Sequence, residues 1–243
     1  MSGTLKEKLK QYLLRRHPAW LAAYDYYFKS ELKASWGGAF NGQNGRKQIF
    51  EELMSKIRFQ AIVETGTFRG TTTEFLARSS VPVYTVEAEP RYYHFARLRF
   101  RKLKNVSLEL RDSRQFLARL ASDRTVPKEN VFFYLDSHWQ EDLPLKEEVG
   151  LITNAWRGVA IMIDDFEVPG DAGYSYDNYG AGKALCLDYL QPLSAFGVEA
   201  FFPALPSDQE TGRKRGCVVL GDEALAERIK SVQCLTRPCS GVS

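Results

Sequence analysis

Asp136, Asp164 and Asp165 close two apolar runs, VFFYLD and VAIMIDD, and His138 follows the first of them. If the two runs are neighbouring parallel strands, about 4.8 Å apart, three carboxylates converge at one end of the sheet. Left unpaired they would raise one another's pKa, so cations or protons must neutralise them. An all-oxygen set suits a hard divalent cation, magnesium first, with manganese or calcium also compatible. A second reading has Asp164 and Asp165 capping a helix or pairing with an arginine such as Arg157. His138 is largely neutral near pH 7, which fits a general base, a metal ligand or a packed ring.

Two more acids stand at the ends of apolar runs. AIVETGTFRG puts Glu64 directly before a loop with glycines at 66 and 70, and PVYTVE ends in Glu87. A dinucleotide loop would space its glycines GxGxxG and would avoid an acid facing the pyrophosphate. An acid followed by widely spaced glycines instead suits a ligand with a positive end. In an open parallel sheet, acids on successive strand ends share one crevice. The plainer alternatives are a tight turn at Gly66 and Gly70 and helix capping by the acids.

The elements that must carry these residues follow from the pattern. From Ala61 onward, short apolar runs alternate with helical stretches: AIVE, PVYTVE, VSLEL, VFFYLD and VAIMIDD, with helices between them. Such alternation gives a doubly wound, mostly parallel sheet with helices on both faces. VEAFFPAL and GCVVLG, with the charged loop PSDQETGRKR between them, read as an edge hairpin whose last strand is antiparallel. Residues 1–56 form an N-terminal helical extension, in which Leu9, Leu13, Trp20, Tyr24, Tyr27 and Phe28 recur at helical spacing and Pro18 breaks or begins a helix. SWGGAFNGQNGR, residues 35–46, is a glycine-rich loop that either closes as a lid over a ligand or merely connects. Residues 57–243 form the main domain.

The ordered set of strand-end motifs resembles the class I S-adenosylmethionine-dependent methyltransferases. VFFYLDSHW and IMIDDFEVPGD resemble catechol O-methyltransferase and the metal-dependent sugar O-methyltransferases of macrolide and aminocoumarin biosynthesis. The resemblance implies a Rossmann-like sheet of seven strands with an antiparallel edge strand. It implies S-adenosylmethionine contacts from Glu64, Thr65, Gly66, Thr67 and Gly70, with Glu87 on the ribose hydroxyls. Asp112 and Ser113 in ELRDSRQF fall where the family contacts adenine, although one N-cap would explain both. It also implies a magnesium-like ion on Asp136, Asp164 and Asp165, and a general base, His138. This chain inserts Ser137 before the His-Trp pair and has Gln140 where catechol O-methyltransferase has a lysine.

The expected activity is methyl transfer to a hydroxyl of a small molecule or sugar. The alternatives are metal-independent transfer to nitrogen or carbon, and a non-catalytic adenosyl-binding or partner-binding protein on the same fold. Net charge is +3, with 33 basic residues scattered among 30 acids, so no nucleic-acid footprint stands out. No run approaches the roughly 20 apolar residues of a membrane span, and neither membrane nor nucleic acid is expected as a partner. The N-terminus has no uninterrupted apolar core, and the cysteines fit no CxxC pair, so a cytoplasmic, reduced chain is expected. The aromatic N-terminal helices either cover the active site or bury themselves in a second subunit of a homo-oligomer.

Overall fold

The computed structural model of the chain describes residues 16–138 and 143–237. Leu9 and Leu13 of the N-terminal pattern lie outside those residues, as do Trp139, Gln140 and Cys239. The first described helix, α1 (Pro18–Phe28), starts at its proline, whose missing N–H costs nothing at the first helical position. Two short 3₁₀ turns, Ser30–Gly37 and Ala39–Gly42, lead to α2 (Asn44–Lys56).

Strands and helices then alternate: β1 (Ala61–Thr65), α3 (Thr71–Leu76), β2 (Val83–Glu87), α4 (Pro90–Phe100), β3 (Val106–Leu110) and α5 (Ser113–Ser122). They continue through β4 (Glu129–Leu135), α6 (Leu145–Ala155) and β5 (Arg157–Asp164). The short α7 (Leu187–Leu190) precedes β6 (Val198–Pro203), β7 (Cys217–Asp222), α8 (Ala226–Lys230) and β8 (Leu235–Thr236). The sheet order is β3-β2-β1-β4-β5-β7-β6-β8. β1 to β5 run parallel, and β7 enters antiparallel between β5 and β6, as the hairpin pattern implies. The sheet has an eighth strand beyond the seven expected. β8 is two residues long and pairs with Phe202 and Pro203, too short to leave a periodicity in the sequence.

The central strands β1, β4 and β5 are buried on both faces, which is why they read as unbroken apolar runs. α5 and α6 cover one face, and α2, α3 and α8 cover the other. The loop at 35–46 is built into that second layer. Phe40 is fully buried, with ring contacts to Phe50, Phe75 and Tyr134.

Register aligns the strand ends. Thr65 lies opposite both Val86 and Leu135, and Leu135 lies opposite Ile163. Gly66, Glu87, Asp136 and Asp164 therefore emerge at one level, around the point between β1 and β4 where the winding reverses.

Candidate active site

The turn after β1 is tight. Gly66 has φ +86, and a Cβ there would stand 2.1 Å from the carbonyl oxygen of Asp136, so only glycine fits between the two strand ends. Phe68 also holds a positive φ, 49°, and donates its backbone N–H to Glu87 Oε2 at 2.6 Å. The backbone N–H of Glu89 donates to Glu87 Oε1 at 2.8 Å. Each Glu87 oxygen keeps lone pairs for further donors. Gly70, again at positive φ, precedes α3. Thr65 is fully buried, and Thr67 shares a 2.5 Å hydroxyl contact with Thr85.

Glu64 sits deeper. Thr73 and Thr85 donate their hydroxyls to its Oε2 at 2.5 and 2.6 Å, so it links β1 to α3 and β2. Burial pushes its pKa up to about 7 against those two hydrogen bonds. Burial also raises Glu87, opposed by its backbone donors. Neither acid has a salt-bridge partner among the described residues.

Asp112 is the N-cap of α5 and accepts from the N–H groups of Arg114 and Gln115 at 3.0 and 3.3 Å. The Arg114 side chain pairs with it and holds its pKa low. Ser113 lies 3.4 Å from Ser137, which donates to Glu148 at 2.7 Å. Glu148 is a buried acid that the sequence reading missed. Its signal was a single charge on the apolar face Leu145, Val149 and Ile152 of α6.

The ends of β4 and β5 hold the aspartates. Asp164 is fully buried and paired with Arg46, which is itself 1% exposed and also donates to the carbonyls of Arg215 and Gly216. Tyr134 donates to Asp164 at 2.5 Å, Asn41 at 3.2 Å and the Asp165 N–H at 2.7 Å. Against its burial, the Arg46 charge and these donors hold the Asp164 pKa below the ordinary value. Arg46 was also missed, although its spacing with Ile49, Phe50 and Leu53 put it on the buried face of α2.

Asp165 is half-buried, with φ +54, and accepts from Arg215 Nε at 2.6 Å. Arg215 also pairs with Asp177. Burial and the neighbouring Asp164 push the Asp165 pKa up to about 7. Burial, Asp164 and Asp165 raise Asp136 well above the ordinary value against the Arg46 charge, and among the described residues it has no salt bridge. The arginines that meet the aspartates are thus Arg46 and Arg215, while Arg157 is exposed at the far end of β5.

His138 is buried, and its Nε2 has no hydrogen-bond partner among the described residues. Burial lowers its pKa and keeps the ring neutral at pH 7. One ligand atom each from Asp136, His138 and Asp165 lies within 4.8 Å of the others. The geometry thus regroups the residues expected to share an ion: His138 stands with Asp136 and Asp165, while Asp164 faces Arg46. A buried imidazole with an orphaned nitrogen, grouped with two carboxylates, fits a divalent ion.

The segment after β5 folds back beside this cluster. The Asp177 N–H donates to the Asp165 carbonyl at 2.9 Å, and Tyr179 donates to the Asp177 carboxylate. Tyr174 turns away and donates to the Leu205 carbonyl at 2.9 Å.

Neither the family models nor the curated proteins yield a match to this chain. Solved structures do. One is titled a "putative O-methyltransferase from Klebsiella pneumoniae", 15% identical, covering 88% of this chain and 96% of that one with a TM-score of 0.51. A mutant of MtNAS is 13% identical over 88% of this chain and 73% of its own, also at 0.51. An rRNA methylase from Streptococcus thermophilus is 18% identical over 74% and 97%, at 0.49. With the strand order above, the two likenesses at 0.51 show the fold alone, that of the class I S-adenosylmethionine-dependent methyltransferases.

Proposed function

We propose that this chain is an S-adenosylmethionine-dependent methyltransferase that acts on a hydroxyl of a small molecule or sugar, assisted by a divalent cation. The observation that carries this reading is the convergence of Asp136, His138 and Asp165 beside the acids that end β1 and β2. Glu87 keeps acceptor capacity on both oxygens for a pair of ribose hydroxyls. Glu64, poised near neutrality, gains a charge when a cationic ligand approaches. Gly66 lets the cofactor turn pack directly on the acid strand end, which sets donor and acceptor close together, and most of the rate then comes from alignment.

Asp136, His138 and Asp165 are the residues that would hold the ion, which would polarise the acceptor hydroxyl at neutral pH. In this arrangement His138 would give a neutral nitrogen to the ion rather than act as base, and Asp164 stays with Arg46. Tyr176 and Tyr179, on the segment beside the cluster, suit a polar ring as acceptor.

One observation favours a second reading, metal-independent transfer: Arg215 already offers Asp165 a positive charge. A methyl-transfer screen across phenolic, catecholic and sugar hydroxyls, with magnesium, manganese or chelator, separates the two. Asp136→Asn should cost about 100-fold in rate under the first reading. An accepted substrate methylated equally fast after thorough chelation leaves only the second. Calorimetry with S-adenosylmethionine tests what both share, and Glu87→Ala should weaken binding by about 1.5–3 kcal/mol. A folded protein that takes up no cofactor at millimolar concentration sinks both.

A further inference from the structure

The outer face of α1 carries Trp20, Tyr24, Tyr27 and Phe28, which are 79%, 54%, 57% and 75% exposed. Their spacing puts them on one side of the helix. Ala22 and Asp25 hold the opposite side against α4, where Asp25 pairs with Arg91 and Tyr26 meets Phe95 edge-on at 5.3 Å. Four large aromatics left in water on one helix are not the scattered apolar residues of an ordinary surface.

What surrounds them is cationic. Arg101 donates to the Tyr27 hydroxyl at 3.1 Å and lies over Tyr26, and Lys33 sits 4.3 Å from the same ring. Arg97, Lys102 and Lys104, on and just after α4, are exposed, as is Arg16 at the foot of α1. Of the nearby acids, Asp25 is buried between Lys29 and Arg91, Glu89 caps α4, and Glu31 is exposed. The sequence upstream continues in kind, with Leu5, Leu9, Leu13 and Leu14 among Lys6, Lys8, Lys10 and Arg15 against Glu7.

We infer that this face of α1 docks the protein on an anionic lipid surface. Tryptophan and tyrosine favour the headgroup level of a bilayer, where the ring is half apolar and the polar tip stays wet. A rim of arginines and lysines adds attraction to acidic headgroups. No helix among the described residues is long and apolar enough to cross a membrane; α1 lies on the surface. Charge argues against a second copy as the occupant, because a two-fold pairing sets the cationic rim against itself. Shape argues against single-stranded nucleic acid, because an outer helix face is convex and has no groove to track a phosphate backbone.

The full-length protein should sediment with vesicles of equal parts phosphatidylcholine and phosphatidylglycerol, and much less with phosphatidylcholine alone. Trp20→Ser with Phe28→Ser should lower partitioning about tenfold or more. The melting temperature should not fall, since both side chains face solvent. Arg97→Glu with Arg101→Glu should weaken binding to the anionic vesicles only. The inference is overturned if neither vesicle retains the protein, or if both retain it equally. It is also overturned if light scattering shows a dimer that the serine variant dissolves, or if the protein binds a single-stranded RNA oligonucleotide through this face while neither vesicle retains it.

Discussion

The acids ending β1 and β2 and those ending β4 and β5 are the same chemical groups on one sheet, yet the chain partners them in opposite ways. Among the described residues, Glu64 and Glu87 meet only neutral donors, two threonine hydroxyls and backbone N–H groups. Asp164 and Asp165 meet arginines. Neutral donors fix an acid in position while leaving its charge to be balanced by whatever enters the crevice, and the raised pKa of Glu64 is the sign of that open balance. A buried arginine closes the balance instead. The aspartate cluster grades from closed to open: Asp164 is sealed by Arg46, Asp165 is shared with a half-exposed Arg215, and Asp136 is left to its neighbours.

The sharpest way to break this comparison is at Arg46. Arg46→Ala strands Asp164 as a buried, unpaired charge and should cost about 3–5 kcal/mol in urea unfolding. A loss under 1 kcal/mol would mean that Asp164 is neutral in the fold and that the two regions do not differ as argued. Glu64→Gln tests the other side. Its amide oxygen can still accept from Thr73 and Thr85, but it never ionises. A folded pKa raised to about 7 above the ordinary 4.5 means the native state holds its proton more tightly. That stability is fully present below about pH 4.5 and is lost as pH rises through 7. The glutamine variant should therefore match the parent near pH 4.5 and exceed it by about 3 kcal/mol at pH 8, while binding S-adenosylmethionine more weakly. Thermal melts across pH, paired with calorimetry, read both. The smallest effect belongs to Arg215→Gln. Freeing Asp165 from a partly exposed pair should move stability by about 1 kcal/mol or less. It should also raise manganese affinity, followed by paramagnetic resonance, by up to about tenfold. Unchanged affinity would separate Arg215 from the ion.

The parallel sheet and its edge hairpin were legible because each central strand is buried on both faces and so spells itself in consecutive apolar residues, as in VFFYL and VAIMI. The acids were legible as breaks at the ends of those runs. Their partners were not. Arg46 lies 118 residues from Asp164, and a lone arginine in NGRKQIFEELMSK looks like solvated helix until the fold turns it inward. Arg215 was hidden in a loop, GRKR, whose charges suggest only solvent. His138 was visible as a base or ligand beside the carboxylates, but its grouping with Asp136 and Asp165 rather than Asp164 was not, because the bend after β5 at Asp165 has no local signature in DDF. The N-terminal aromatics showed their helical spacing plainly, but spacing does not tell an inward stripe from an outward one.

Gly66 and the carbonyl of Asp136 form a joint with no room for even a methyl group. The two half-sites are for that reason not interchangeable parts. Anyone transplanting the aspartate cluster onto another sheet of this topology must carry the turn after β1 with it, and a library that varies the turn while holding Gly66 fixed samples a region where drift in one half does not dislodge the other. The same joint sets the grain at which such a site can be redesigned: strand ends in adjoining pairs, never one at a time.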